Sequence, residues 1–413
     1  VLISVMKKHQ RYFPVIDAAG ALLPYFVIVR NGDDQFLDVV ADGNEQVIRA
    51  RFADASFFIK EDLKHKLEDF LPRLGTLTFQ VKLGSMLDKS RRITALVEDL
   101  MPVLKLAEED KATTRRAAVL CKADLVTNMV VEMTALAGVM GRFYALRSGE
   151  SEAVARAVFE HILPRSANDQ AAASLPGLVI GLADRLDSLA GLFAAGLAPS
   201  GTKDPFAQRR AALGLVQSLM AWDMDFDLRA GLSAAAQKLP IPASDEALAA
   251  CAEFITGRLQ NALQEAGYRY DQVAAVLAAQ AHNPAQALRS LKALQARSEA
   301  ADWKITLAAY ARCVRITRDL KETHSITPAA FSEQAEKDLF AALSTAEGSL
   351  KNPASLADFF AVFEPMIPAV NAFFEAVLVM AEDPAQRANR LGLLQRIAAL
   401  AKQAADLSRL EGF

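Results

Sequence analysis

The spacing of apolar residues changes its period once along the chain. Up to about Asn31 the stretches VLISVM, RYFPVI and PYFVIVRNG are rich in β-branched and aromatic residues and are parted by an Ala-Ala-Gly turn. This pattern predicts a small antiparallel sheet, too few strands to stand without neighbours. From Asn44 the period becomes helical, with Val47, Ile48, Phe52, Ala55, Phe58 and Ile59 three and four residues apart. Helices are predicted over 87–104, 108–133, 151–162, 176–193 and 205–222. The run LPIPASDE, with Pro240 and Pro242, then breaks the periodicity and marks a boundary. Further helices follow over 245–267, 271–280, 284–296, 302–321, 328–350, 353–363, 365–380 and 384–410. In HNPAQAL, SITPAAF and EDPAQRA a proline takes the first helical position behind a polar cap. The fold class is therefore mainly α, with a short α+β segment at 1–69 and helical domains at 70–240 and 241–413.

Composition narrows the function. A chain of 413 residues, 52% hydrophobic and 23% charged, is of ordinary globular composition and long enough for several cores. Its net charge of −3 means that any RNA must be held by local basic faces on a mildly acidic body. Cys121, Cys251 and Cys313 are too few and too widely spaced for a disulfide framework or a zinc knuckle, which fits a reducing cytoplasm. No uninterrupted apolar run is expected to reach the length of a membrane span; even VLVMAEDPAQ is broken by Glu382 and Asp383. The start at Val1, without methionine or signal pattern, reads as that of a fragment or a processed chain.

The least generic stretch is Gly196–Leu215, GLAPSGTKDPFAQRRAALGL. Gly196 closes one helix, Pro199-Ser200-Gly201 turn the chain, and Asp204-Pro205 fit the cap and first turn of the next. Lys203, Arg209 and Arg210 gather at this corner, where helix-start N–H groups also point outward, an arrangement suited to an anion or else a solvated corner. Its Gly-x-x-x-x-Gly spacing is no P-loop, since Thr-Lys follows where Gly-Lys-Thr/Ser is required and a helix precedes in place of a strand. The five histidines are scattered, His161 being the one near a helix end beside Arg165, and no nucleophile elbow occurs. On the helix over 302–321, Lys304, Arg312, Arg315 and Arg318 share an arc of about 120°. Ile305, Ala309, Cys313, Ile316 and Leu320 form a neighbouring arc expected to face the core. Arg289, Lys292 and Arg297 precede that helix and Trp303 lies close by. Cations beside an aromatic ring are what a single-stranded RNA loop requires, and also what a solvated helix face presents.

The run SGTKDPFAQRRAALG closely resembles a signature of the β subunit of bacterial heterotetrameric glycyl-tRNA synthetase. MKKHQRYFPVID, GNEQVIRARFADASFF, VKLGSMLDKSRRI, KADLVTNMVVEM and GVMGRFYALRSGE precede it in the family's order, and NAFFEAVLVMAEDPAQRANRLGLLQRI follows. The resemblance spans Val5 to Leu410. It implies a tRNA-recognition subunit of glycine–tRNA ligase, with adenylation and transfer, and hence ATP and Mg2+, in a separate α subunit. It further implies an α2β2 assembly on tRNA(Gly) in the cytoplasm, without membrane or DNA, and a large N-terminal portion preceding Val1. No catalytic residue and no cofactor is expected in this chain.

Within the resemblance, KLGSMLDKSRRI, KADLVT and LADRLD follow the layout of the HD phosphohydrolase superfamily, whose metal needs a first-helix His, a His-Asp pair and a later Asp. Here Ala123-Asp124 replaces the pair and 80–100 holds no histidine, so the domain reads as degenerate and no metal site is expected. Asp124, Asp184 and Asp187 read as carboxylates on solvated helix faces. A metal-dependent phosphohydrolase using Asp124 and Asp184, and an RNA-independent helical scaffold, are the competing functions. HNPAQALRSLKALQ and AYARCVRITRDL resemble the helical anticodon-binding domain of DALR type shared with arginyl-tRNA synthetase. This implies RNA contacts at Arg289, Lys292, Lys304, Arg312, Arg315 and Arg318, although residues 311–317 are less basic than the family's usual run.

Overall fold

Four strands occur among the described residues, in two antiparallel pairs, and the remaining regular structure is helical. The computed structural model describes residues 2–351 and 355–413, so the predicted helix start at Pro353 lies outside the described residues. The chain forms two units, Val1–Ser218 with Ala230–Cys251, and Leu219–Arg229 with Ala252–Phe413.

The first unit opens on helix α1 (Leu2–Gln10), followed by strands β1 (Phe13–Ile16) and β2 (Leu22–Val27), paired from Phe13↔Val27 to Ile16↔Leu22. Residues 2–6 of that run are thus helical, not the expected strand. Val5 and Met6 are buried against β1 and the long helix α2 (Leu37–Asp62), and that packing overrides local β propensity. The second pair, β3 (Thr78–Gln80) and β4 (Gly84–Ser85), leads into α3 (Met86–Val103), whose start is closed by the reciprocal Ser85–Asp88 capping box.

The predicted helix over 108–133 is two helices, α4 (Glu108–Leu120) and α5 (Asn128–Glu132), parted by a 3-10 turn at Ala123–Val126. Side chains enforce the break. The Thr127 hydroxyl donates to the Asp124 carbonyl at 2.7 Å and caps α5. Asp62 receives the Asn128 and Met129 N–H groups at 2.9 and 3.1 Å, together with the Tyr144 hydroxyl at 2.7 Å. Helices α6 (Val139–Arg147) and α7 (Glu152–Glu160) follow, and then α8 (Leu175–Ala194), which packs against α3, α4 and α7. Of its 20 residues 16 are buried, as expected for a helix apolar nearly all round.

Helices α9 (Gln208–Ala221), α10 (Leu228–Ala236) and α11 (Asp245–Glu265) each draw residues from both units, and LPIPASDE lies between α10 and α11. Helix α9 begins three residues later than Pro205 suggests. Asp204 reaches forward to the N–H groups of Gln208 and Arg209 at 2.8 and 2.9 Å, while Ala207 takes a left-handed φ of 54°.

The second unit contains α12 (Tyr270–Gln280), α13 (Pro284–Ser298), α14 (Trp303–Thr317), α15 (Gln334–Ser349), α16 (Leu356–Phe363), α17 (Ile367–Ala376) and α18 (Pro384–Ala399). Tyr310 meets Phe359, Phe363 and Phe413 edge to face, with ring centroids 5.2, 5.4 and 6.3 Å away. Contrary to the sequence expectation, Leu356–Ala376 is long and apolar enough by composition to cross a membrane. It is broken by a 3-10 turn at Glu364–Met366, and Phe359, Phe363 and Phe373 are buried in the core of the unit. The last predicted helix stops at Ala399, short of residue 410, because the tail turns back onto α12. The Asp406 N–H donates to the Ala275 carbonyl at 2.8 Å, and the Glu411 N–H to Asp271 at 2.9 Å.

The tie between α3 and α8 is ionic. Asp187 on α8 receives Lys89 Nζ at 2.9 Å and Arg92 Nε at 2.6 Å, all three side chains being buried. Removing one partner of such a set leaves charges uncompensated. Asp187→Ala is expected to destabilise the first unit by about 3–5 kcal/mol in denaturant titration; a loss below about 1 kcal/mol would show that water reaches the two cations.

Candidate functional site

The carboxylates expected on solvated faces are turned inward. Asp124 is buried, its Oδ2 accepting the N–H groups of Gly138 and Gly141 at 2.6 and 2.9 Å. A Cβ at residue 141 would stand 2.9 Å from that oxygen, which explains glycine there. Burial raises the Asp124 pKa to about 6 against these N–H groups and Lys122. Asp184 is flanked by two ammonium groups, Lys122 Nζ at 2.6 Å and Lys89 Nζ at 2.9 Å. Against the cost of burial, Lys122 and then Lys89 hold its carboxyl well below the usual range. Asp187 is committed to Lys89 and Arg92. The solvated reading fails because these side chains lie on the packed faces of α8 and of the turn at 123–126.

Lys122 Nζ also contacts His161 Nε2 at 3.0 Å, while Nδ1 of the ring lies 2.7 Å from the Val158 carbonyl. The proton therefore belongs on Nδ1, leaving Nε2 to accept from the ammonium. Burial, and then Lys122, push the His161 pKa down to about 3. Arg185 donates to the carbonyls of His161, Ile162, Leu163 and Pro164, bracing the bend after α7.

A divalent metal does not fit these residues. Ala123 supplies no ligand, Asp124 is spent on backbone N–H groups, and ammonium groups occupy both sides of Asp184. Among the described residues no three His, Cys, Asp or Glu side chains converge as a ligand set.

At the corner, Arg209 donates to the Gly201 carbonyl and lies 3.8 Å from Asp204, so it braces the turn. Lys203 and Arg210 are exposed, and neither has an ion-pair partner among the described residues.

In the second unit the six predicted RNA-facing cations separate into two kinds. Arg289 on α13 bridges Asp223 and Asp225. Arg312 is half-buried, bonded to Asn371 and 4.9 Å above the Phe374 ring. Lys292 and Lys304 are exposed without ion-pair partners among the described residues. Arg315 is exposed with its guanidinium 5.8 Å over Phe413, and Arg318 keeps a loose 3.7 Å approach to Asp319. Helix α14 is rotated from the expected orientation: Ala309 and Cys313 are buried, whereas Ile305 is 58% and Leu320 37% exposed, and Thr306, Leu307 and Tyr310 take the core side. Arg297 braces the helix through Asp302, Glu364 and Thr306.

The sequence reading missed the groove beside this stripe. A cavity of about 640 Å3 opens between α12, α14, α18 and the tail, lined by Arg318, His324, Arg396 and Lys402 among others. Arg396 is tied to Glu347, and Arg409, also on the wall, to Asp406 at 3.0 Å; Lys402 is exposed with no ion-pair partner among the described residues. The signal for Lys402 was absent because it falls after α18 has ended, within what reads as uninterrupted helix.

Comparison with known proteins bears on the whole chain. The family profile of the glycyl-tRNA synthetase β subunit matches residues 1–278, and that of the DALR anticodon binding domain matches 306–410. The glycine–tRNA ligase β subunit of Moorella thermoacetica is 40% identical over 99% of this chain and 60% of its own length. That of Desulforamulus reducens is 37% identical over 99% of the chain and 60% of its own length. A chloroplastic/mitochondrial glycine–tRNA ligase of Arabidopsis thaliana is 39% identical over 100% of the chain and 39% of its own length. The chain thus spans about 60% of the length of the bacterial relatives it matches.

The two buried titrating groups pull stability in opposite directions. His161, with its pKa depressed from 6.5 to about 3, gives stability present above pH 6.5 and lost as the pH falls toward 3. Wild type is expected to lose up to about 1.4 kcal/mol per pH unit relative to His161→Gln on acidification below pH 6.5, read by denaturant titration. Asp124, raised from 3.8 to about 6, acts oppositely: relative to Asp124→Asn, wild type loses stability as the pH rises from about 4 to 6. Parallel pH profiles for wild type and variant would show the group in question to be solvated.

Proposed function

Because the chain belongs to the glycyl-tRNA synthetase β-subunit family, we propose that it is a non-catalytic, tRNA-recognising portion of a glycine–tRNA ligase. On this reading residues 1–69 are an α+β opening segment, 70–240 a degenerate HD-like domain and 241–413 the anticodon-binding domain. Adenylation with ATP and Mg2+ and transfer of glycine to tRNA(Gly) belong to a separate α subunit, in an α2β2 assembly of the whole enzyme in the cytoplasm. The chain itself holds no cofactor and engages neither membrane nor DNA.

The supporting observation is the division among the cations of the second unit. Arg289 and Arg312 are consumed by internal partners, whereas Lys304, Arg315, Arg318 and Lys402 keep their charges toward solvent. Lys304 and Arg318 stand about 21 Å apart along the axis of α14, at 1.5 Å per residue. Arg318 and Lys402 share the wall of the groove, and Arg315 lies over the Phe413 ring. Free cations in and beside this groove, with the Phe413 ring next to Arg315, suit an unpaired anticodon loop, whose phosphates need charge and whose bases need flat surfaces. Lys203 and Arg210 are candidate contacts elsewhere on the RNA, and Arg209 is a structural group of the corner.

Equilibrium binding to a tRNA(Gly) transcript, beside the same transcript with its anticodon replaced, tests this reading at two salt concentrations. Arg315→Glu, Arg318→Glu and Lys402→Glu are each expected to weaken binding about tenfold at low salt, and each alanine counterpart to lower the salt slope by about one. Equal affinity for the two transcripts would remove anticodon recognition from this chain. In contrast, Arg289→Ala is expected to alter stability of the second unit, because it strips two carboxylates of their partner.

A further inference from the structure

The corner motif, through Phe206 and Arg210, and Asp184 in the middle of α8 line one cavity of the first unit. Its volume is about 430 Å3, and its wall includes Thr134, His161, Asp184, Ser188, Phe206 and Arg210. We propose that this cavity binds a nucleotide, with Arg210 on the phosphate and Phe206 against the base.

Three observations carry the assignment. The first is the state of the cations around the cavity. Arg165 is bonded to Asp169 at 2.9 Å and Arg185 to backbone carbonyls, so both shape the wall. Arg210 also reaches the wall, yet is exposed and has no ion-pair partner among the described residues. A guanidinium so placed offers paired donors to a phosphate. The second is the neutralisation of the one carboxylate on the wall. A bare aspartate would repel a phosphate, but Asp184 lies between Lys122 and Lys89 at 2.6 and 2.9 Å, so an anion entering the cavity meets no net negative charge there. The third is the start of α9. Phe206 is half-buried on the same wall as Arg210, while the Gln208 and Arg209 N–H groups of that helix start are taken by Asp204. The volume falls within the usual range for small-ligand sites, and Ile162 and Pro164 add apolar surface beside the aromatic ring.

A nucleotide can reach the cavity free in solution or as part of an RNA strand, and the two sources are separable. Adenosine 5′-monophosphate is titrated by calorimetry into the whole chain, into Arg210→Ala, Arg210→Lys and Phe206→Ala, with inorganic phosphate as the smaller probe. For a free ligand the nucleotide binds wild type, Arg210→Ala weakens it at least tenfold, Arg210→Lys recovers part of the loss, and phosphate binds more weakly than the nucleotide. Thermal unfolding of Arg210→Ala should match wild type, since its side chain braces nothing. For an RNA-borne ligand the free nucleotide does not bind, and Arg210→Ala weakens a tRNA(Gly) transcript and its anticodon-replaced counterpart by the same factor. That equality separates this cavity from the anticodon response of the second unit, so either proposal can fail alone. Nucleotide binding indifferent to Arg210, or no effect of Arg210→Ala on nucleotide or transcript, overturns the assignment.

Discussion

Helix α8 is packed on nearly every side and still carries Asp184, Arg185 and Asp187 in its middle, and the geometry of the first unit follows from satisfying those charges. Each would be prohibitive to bury alone. Lys89 and Arg92 on α3 therefore have to face Asp187, Lys122 has to lie beside Asp184, and the bend after α7 has to offer its carbonyls to Arg185. Three elements far apart in the chain are thereby fixed against one helix. Nonpolar packing alone tolerates sliding of a helix by a turn, whereas ion pairs of this kind do not. Burial tends to strip Lys89 of its proton; Asp184 and Asp187 outweigh it and hold the ammonium above its ordinary pKa.

The same cluster explains why a divalent ion does not fit these residues, although their sequence layout resembles that of a phosphohydrolase. A divalent ion and a pair of ammonium groups solve the same electrostatic problem, the neutralisation of converging carboxylates, and here the lysines do it. The arrangement commits Asp124 to the N–H groups of Gly138 and Gly141. It also leaves an opening above Asp184 in which the remaining unpaired charge is positive.

In the second unit an exposed arginine and an available arginine are different things. Arg289 is 40% exposed at its side chain, yet bridges two aspartates, and Arg312 is held over Phe374. A phosphate would have to displace those partners before gaining anything. Arg315, Arg318, Lys304 and Lys402 impose little such cost. Which of these cations is already committed is thus decided by where Asp223, Asp225 and Asn371 come to lie, not by the basic residues themselves.

The sequence alone determined the helical class, the capped starts at Asn283 and Asp383, and the family, because periodicity, cap chemistry and the SGTKDPFAQRRAALG run are local properties of the chain. It also marked α14 as a helix with one basic side. Tertiary structure alone decided the rest. Residues of VLISVM with β propensity became helical once Val5 and Met6 had a surface to pack on, and the segment over 108–133 broke because Thr127 and Asp62 capped a new start. Asp187, solvated in appearance on a helical wheel, was buried because Lys89 and Arg92 from another helix met it, and Lys402 joined the groove because α18 ended at Ala399. Thr127 aside, the deciding partners include groups tens of residues or more away, and no local pattern records which distant charge or apolar face will arrive.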